Sequence, residues 1–215
     1  MRAPPHSAIT AVFVDEYLLV LDKPAGLLTV PGRGADKADC LWSRARQQWP
    51  DALIVHRLDM ATSGLVLFAR DASTQRRLSM AFAQREIHKR YEAVVGGLVI
   101  DDAGVIDLPL SADWPRRPRQ QVDAVHGKPS LTQWRVLARD ATAQRTRLAL
   151  TPHSGRSHQL RVHLCAIGHA IVGDALYAPS ALAAAAPRLL LHATRLSFLH
   201  PHDAAPLAFT CPAEF

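Results

Sequence analysis

Three short stretches of this chain hold side chains that can do chemistry. The first is His56-Arg57-Leu58-Asp59-Met60-Ala61-Thr62-Ser63-Gly64, a single carboxylate among hydrogen-bond donors, between two apolar runs. An acid on a loop held by rigid strands is placed to meet a ligand, where it can serve as nucleophile or base. The commoner fate of such an Asp is to cap its own turn. The second is Lys89-Arg90-Tyr91-Glu92-Ala93. As a strand it puts Lys89, Tyr91 and Ala93 on one face. A tyrosine there can stack on a flat ring and exchange its phenolic proton, although most strand tyrosines are core residues with a satisfied hydroxyl. The third is Gly155-Arg156-Ser157-His158-Gln159-Leu160-Arg161-Val162-His163. As a helix it pairs Ser157 with Arg161 and Gln159 with His163 on common faces. A fixed arginine holds a neighbouring acid ionised; an exposed one merely meets solvent.

Elements must position these groups. Residues 11–14, 17–21, 53–55, 65–69, 91–95, 131–138, 146–150, 196–199 and 207–210 have the composition of strands. The stretch 41–49 suits a helix stopped by Pro50, and Asp71 is placed to cap a helix reaching about Arg85. Residues 157–167 predict an amphipathic helix entered through Gly155, and 181–186 a short helix or loop closed by Pro187. Lys23 opens a turn with Pro24, Ala25 and Gly26. Strands and helices do not alternate regularly, so the expected fold is α/β of the α+β kind. It has a mixed, largely antiparallel sheet flanked by helices. The chain has 215 residues, and residues 1–215 are expected to form one domain.

Composition narrows the function. Apolar residues make up 48% and charged residues 20%, which excludes a disordered tail. No apolar run approaches the roughly 20 residues that span a bilayer. Residues 1–7 carry a proline pair and no long apolar core, unlike a secretory signal. Cys40, Cys165 and Cys211 lie far apart, an odd count that suits a reducing cytoplasm and gives no thiolate metal knuckle. The net charge of +6 favours a polyanionic partner, though a merely basic soluble protein has the same charge.

Two further groups could bind a ligand. His153, His158, His163 and His169 crowd one region. Their spacings of five and six suit one helical face poorly, so no metal is expected. Trp114-Pro115-Arg116-Arg117-Pro118-Arg119-Gln120 is a cationic loop with an aromatic. It suits a grip on a phosphate backbone, or is simply a solvated surface.

Together the three chemical stretches resemble the RluA family of pseudouridine synthases. The first matches H-R-L-D-x-x-T-S-G in full, the second K-x-Y-x-A, and the third G-R-[ST]-H-Q-[IL]-R. The likeness extends to Asp22-Lys23-Pro24-Ala25-Gly26-Leu27-Leu28, Gly173-Asp174 with Tyr177, Leu191-His192-Ala193, and His200-Pro201. Ala178 stands where many relatives have glycine. The resemblance implies that Asp59 is the catalytic aspartate, that Tyr91 stacks on the base and assists proton transfer, and that Arg161 pairs with Asp59. Arg57 resembles the residue that fills the gap left by a flipped base. His56, Lys89, Arg116, Arg117, Arg119, Arg156 and His158 are expected RNA contacts.

The resemblance is closest to the compact branch of that family without an N-terminal S4-type domain. That branch is associated with a 23S rRNA hairpin and a tRNA anticodon stem-loop. It further implies a cytoplasmic monomer that needs no cofactor and no protein partner. Two rivals remain at this point. An RNA-binding module would have no need of Asp59, Tyr91 and Arg161 together. A hydrolase with an Asp nucleophile would need a second carboxylate.

Overall fold

The computed structural model describes residues 9–34 and 37–215. The reading of residues 1–7 lies outside the described residues. In chain order the elements are β1 (Thr10–Val14), β2 (Leu18–Lys23), α1 (Leu41–Gln48), β3 (Leu53–Ile54), β4 (Ser63–Ala69), α2 (Ala72–Gln84), β5 (His88–Gly96) and β6 (Ala103–Asp107). They continue with β7 (Leu110–Ala112), β8 (Gln120–Val122), β9 (Leu131–Asp140), β10 (Arg145–Pro152), α3 (Gln159–Ala166), α4 (Ser180–Ala184), β11 (Leu191–Leu199) and β12 (Pro206–Thr210). The chain forms two compact units, Met1–Lys89 with Ala193–Glu214, and Arg90–His192 with Phe215.

In the first unit, antiparallel pairs join β1 to β2, β2 to β4, β3 to β4 and β11 to β12. Every residue of β4 is buried, as its unbroken apolar run requires of a strand covered on both faces. Leu18, Val20, Leu65, Leu67, Leu78, Ile87, Leu196 and Phe198 form one cluster. Each such side chain contributes about 1.5–3 kcal/mol on burial. Helix α2 starts where Asp71 accepts hydrogen bonds from the Thr74 amide and hydroxyl. It ends at Arg85, in the left-handed region. Helix α1 has an unusual cap: the Cys40 thiol accepts from the Ser43 amide, and the Ser43 hydroxyl accepts from the Cys40 amide.

In the second unit, β5–β10–β9–β6 form an antiparallel run and β7–β8 a separate hairpin. The register sets Tyr91 opposite Leu150. Strands β6, β7 and β8 were not anticipated. They are short, and in β6 an exposed Val105 and an inward Gly104 blur the polar–apolar alternation that marks a half-buried strand. The α+β expectation of a largely antiparallel sheet with helices holds in both units.

Helix α3 begins two residues later than expected. His158 adopts φ 54°, so Ser157 lies in the preceding turn and does not share a helical face with Arg161. The Gln159–His163 face is present. Both side chains reach the Thr132 hydroxyl, at 3.1 and 2.9 Å.

Candidate active site

Asp59 lies on the loop between β3 and β4, half-buried. Both of its neighbours are clamped. Leu58 is held by Thr29, whose hydroxyl accepts from the Leu58 amide at 3.1 Å and donates to its carbonyl at 2.8 Å. The Met60 carbonyl accepts from the Gly26 amide at 2.8 Å and from Lys23 Nζ at 3.1 Å. The Asp59 carbonyl itself accepts from the Thr62 amide. The acid is therefore fixed by main-chain bonds on each side, the arrangement that preorganised chemistry needs.

Lys23 is the residue that sequence reasoning missed. It was read as the first residue of a turn, yet it is fully buried. Its ammonium group also donates to the Pro24 and Leu27 carbonyls, at 2.9 and 2.7 Å. Burial pushes its pKa down to about 7, opposed by the carboxylates of Asp59 and Asp22. Its charged form is held by three main-chain carbonyls and attracted by the Asp59 and Asp22 carboxylates. The sequence signals were a lysine ending an apolar strand just before Pro-Ala-Gly and its place in the Asp22–Leu28 segment of the family resemblance.

Gly64 closes the motif for a steric reason. Its φ is +106°, and a Cβ there would fall 2.4 Å from the Ala193 carbonyl oxygen. No other residue fits that approach.

The motif's remaining side chains divide by role. His56 Nε2 accepts from the Leu67 amide at 2.9 Å, and its ring packs on Phe82. Desolvation, then Lys89, pushes its pKa down to about 3, so His56 is neutral and brings no positive charge to a ligand. Arg57 is exposed. Lys89 is half-buried, with its ammonium 5.8 Å from the Phe82 ring centre; desolvation lowers its pKa.

The second unit carries Tyr91, half-buried on β5, and Arg161, buried on α3. Arg161 makes a two-pronged ion pair with Asp174, at 2.8 and 2.7 Å. Such bidentate geometry fixes the guanidinium plane, and the arginine holds the Asp174 carboxyl below its usual range against desolvation. This partner was not anticipated.

Arg116 and Arg117 are exposed and Arg119 is half-buried. Residues Trp114–Arg116 make a 3-10 turn. Arg116 pairs with buried Asp113 at 2.7 Å, and the Arg117 guanidinium stacks 3.5 Å over the Trp114 ring. Arg156 is exposed. Three of the four clustered histidines bond within the fold: His158 to the Tyr177 hydroxyl, His163 to Thr132 and the Leu108 carbonyl, and His169 to the Gly96 carbonyl, while His153 is exposed.

The first unit thus carries an acid on a clamped loop, and the second a strand tyrosine and an arginine fixed by an ion pair. Residues 17–166 match the RNA pseudouridylate synthase family, so the chain belongs to that family and is an RNA pseudouridine synthase. The chain is 46% identical to the dual-specificity RNA pseudouridine synthase RluA of Vibrio vulnificus (strain CMCP6), over 99% of this chain and 86% of that protein. It is 46% identical to the protein of that name from Yersinia pestis, over 95% and 98%. For the Escherichia coli (strain K12) protein the figures are 44%, 99% and 96%. Among solved structures, human RNA Pseudouridylate Synthase Domain Containing 1 superposes with a TM-score of 0.81 and 27% identity, over 97% of this chain and 86% of that one.

Proposed function

We propose that this enzyme converts uridine to pseudouridine in a 23S rRNA hairpin and in a tRNA anticodon stem-loop, with Asp59 as the catalytic carboxylate. One observation carries the reading: Asp59 sits in a complete H-R-L-D-x-x-T-S-G segment, with the residues on both sides of it locked to the scaffold. The two substrates are those that the family resemblance implies, and the relatives' names, which state dual specificity, support a pair of RNA targets.

The reaction breaks the N1–C1′ bond and forms a C5–C1′ bond. The C5 proton leaves and N1 is protonated, so atoms balance without a cofactor. The target base must first leave its stack, at a cost of a few kcal/mol that is least in loops. Recognition rests on loop shape and splayed bases, because A-form grooves hide most base edges.

Asp59 acts ionised, either attacking C1′ or removing the C2′ proton. Arg161 supplies the charge that keeps it so. Tyr91 stacks on the uracil and assists loss of the C5 proton. Arg57 fills the gap left by the flipped base. Lys89, Arg116, Arg117, Arg119 and Arg156 neutralise phosphates. His56 and His158 contact RNA without needing charge. Residues 1–215 act as one catalytic domain, monomeric and cytoplasmic. Among the described residues no helix is long and apolar enough to cross a membrane.

The test is a map of pseudouridines in rRNA and tRNA from a strain lacking this protein. Loss of discrete stem-loop sites in both RNAs, restored by the purified protein, is expected. Unchanged maps, with no product from either RNA in vitro, would refute the reading.

A further inference from the structure

Tyr177 joins three parts of the second unit. Its hydroxyl accepts from the Gln120 amide at 2.8 Å and meets His158 Nδ1 at 2.6 Å. Gln120 directly follows the arginine loop, and His158 is the left-handed residue on which α3 starts. The ring lies 5.3 Å from the Arg119 guanidinium and 5.0 Å from that of Arg161. The Tyr177 amide donates to Asp174, the carboxylate that Arg161 grips. Packed with Leu110 and Val162, the side chain is almost fully buried.

The arginine loop is braced within itself. The Asp113 amide donates to the Arg119 carbonyl at 3.0 Å, and the Arg119 amide to the Arg116 carbonyl at 3.0 Å. The loop is thus closed on itself, and the Gln120–Tyr177 bond ties it to the rest of the second unit. His158 has no side-chain capping bond to its own helix; its ring is turned to Tyr177 instead.

We propose that Tyr177 is a positioning residue: its hydroxyl locks the arginine loop to the first turn of α3 and so sets how the loop cations meet RNA phosphates. This rests on the reading that the loop contacts RNA. A purely structural tyrosine would change folding stability and leave the ionic part of binding alone. A latch would change the ionic part, because loosened arginines engage fewer phosphates and release fewer counterions.

The experiment compares wild type, Tyr177→Phe, His158→Leu and a triple variant with Arg116, Arg117 and Arg119 changed to Ala. RNA affinity for a tRNA anticodon stem-loop transcript is measured across a salt series, beside thermal melts. Tyr177→Phe keeps the ring and loses the hydroxyl. Its Kd is expected to rise by up to about tenfold at low salt, because binding must then order a loop that two intramolecular hydrogen bonds no longer hold. Its salt slope should be shallower by about one. His158→Leu should shift in the same direction, and in the triple-Ala background Tyr177→Phe should add little.

If the triple variant binds as wild type, the loop reading fails and the latch with it. If the triple variant is weakened while Tyr177→Phe keeps wild-type affinity and slope, the loop reading stands and the latch is overturned. A Tyr177→Phe protein that melts lower but keeps its salt slope also overturns it.

Discussion

The Asp59 loop and the arginine loop are built in opposite ways. The first has its neighbouring residues clamped by Thr29, Gly26 and a buried lysine, and its motif ends on a glycine that no side chain can replace. The second displays Arg116, Arg117 and Trp114 to solvent. It is held by short-range turns, one ion pair and a stacked guanidinium. On the proposed function Asp59 is the reacting acid, and such an acid misplaced by an ångström loses most of its rate, which accounts for the rigidity there. On the same reading the arginine loop meets phosphates, whose attraction is long-ranged and tolerant of geometry, so exposed cations on a braced loop suffice.

The contrast is most easily broken at Gly64. Gly64→Ala forces a Cβ into the Ala193 backbone at a positive φ. It should destabilise the protein by about 3 kcal/mol or more, seen as a lower urea midpoint. Alanine tolerated there at full stability would show that the loop's end is not sterically fixed.

Lys23→Met should cost less, about 2 kcal/mol at alkaline pH, because the Pro24 and Leu27 carbonyls each lose a buried donor. Its pH dependence is the sharper test. The folded lysine titrates near 7, against 10.5 ordinarily. Between those values the unfolded chain holds a proton that the folded chain has released, so wild-type stability rises with pH across that window. The variant lacks this rise, and its deficit should shrink as pH falls towards 7. Parallel stability curves would contradict a buried, depressed lysine.

The smallest effect on folding is expected at the arginine loop. Reversing Arg116 and Arg117 to Glu should leave the melting temperature within a few degrees. It should weaken RNA binding roughly tenfold to a hundredfold at low salt, and less as salt is raised. Unchanged affinity and salt slope would reduce the loop to a solvated surface.

Much of the first unit was legible in sequence. The apolar run of β4 and the Asp71 cap of α2 each follow from local pattern alone. The motif residues were legible too, because residue types at fixed spacing carry the resemblance. What was not legible depends on distant chain segments. Lys23 reads as a turn residue until the Leu27 and Met60 carbonyls are seen around it. Arg161 is thirteen residues from Asp174, and nothing local announces that pair. The start of α3 was misplaced because His158 takes a conformation that glycine usually supplies, stabilised through a tyrosine nineteen residues away.

If the clamped acid does the chemistry and the exposed cations do the binding, Asp59→Asn, which keeps shape and removes charge, separates the two. Turnover of uridine to pseudouridine should fall by about a thousandfold or more, while the affinity for the stem-loop stays within about threefold of wild type. Pseudouridine made by Asp59→Asn at near the wild-type rate would contradict the account.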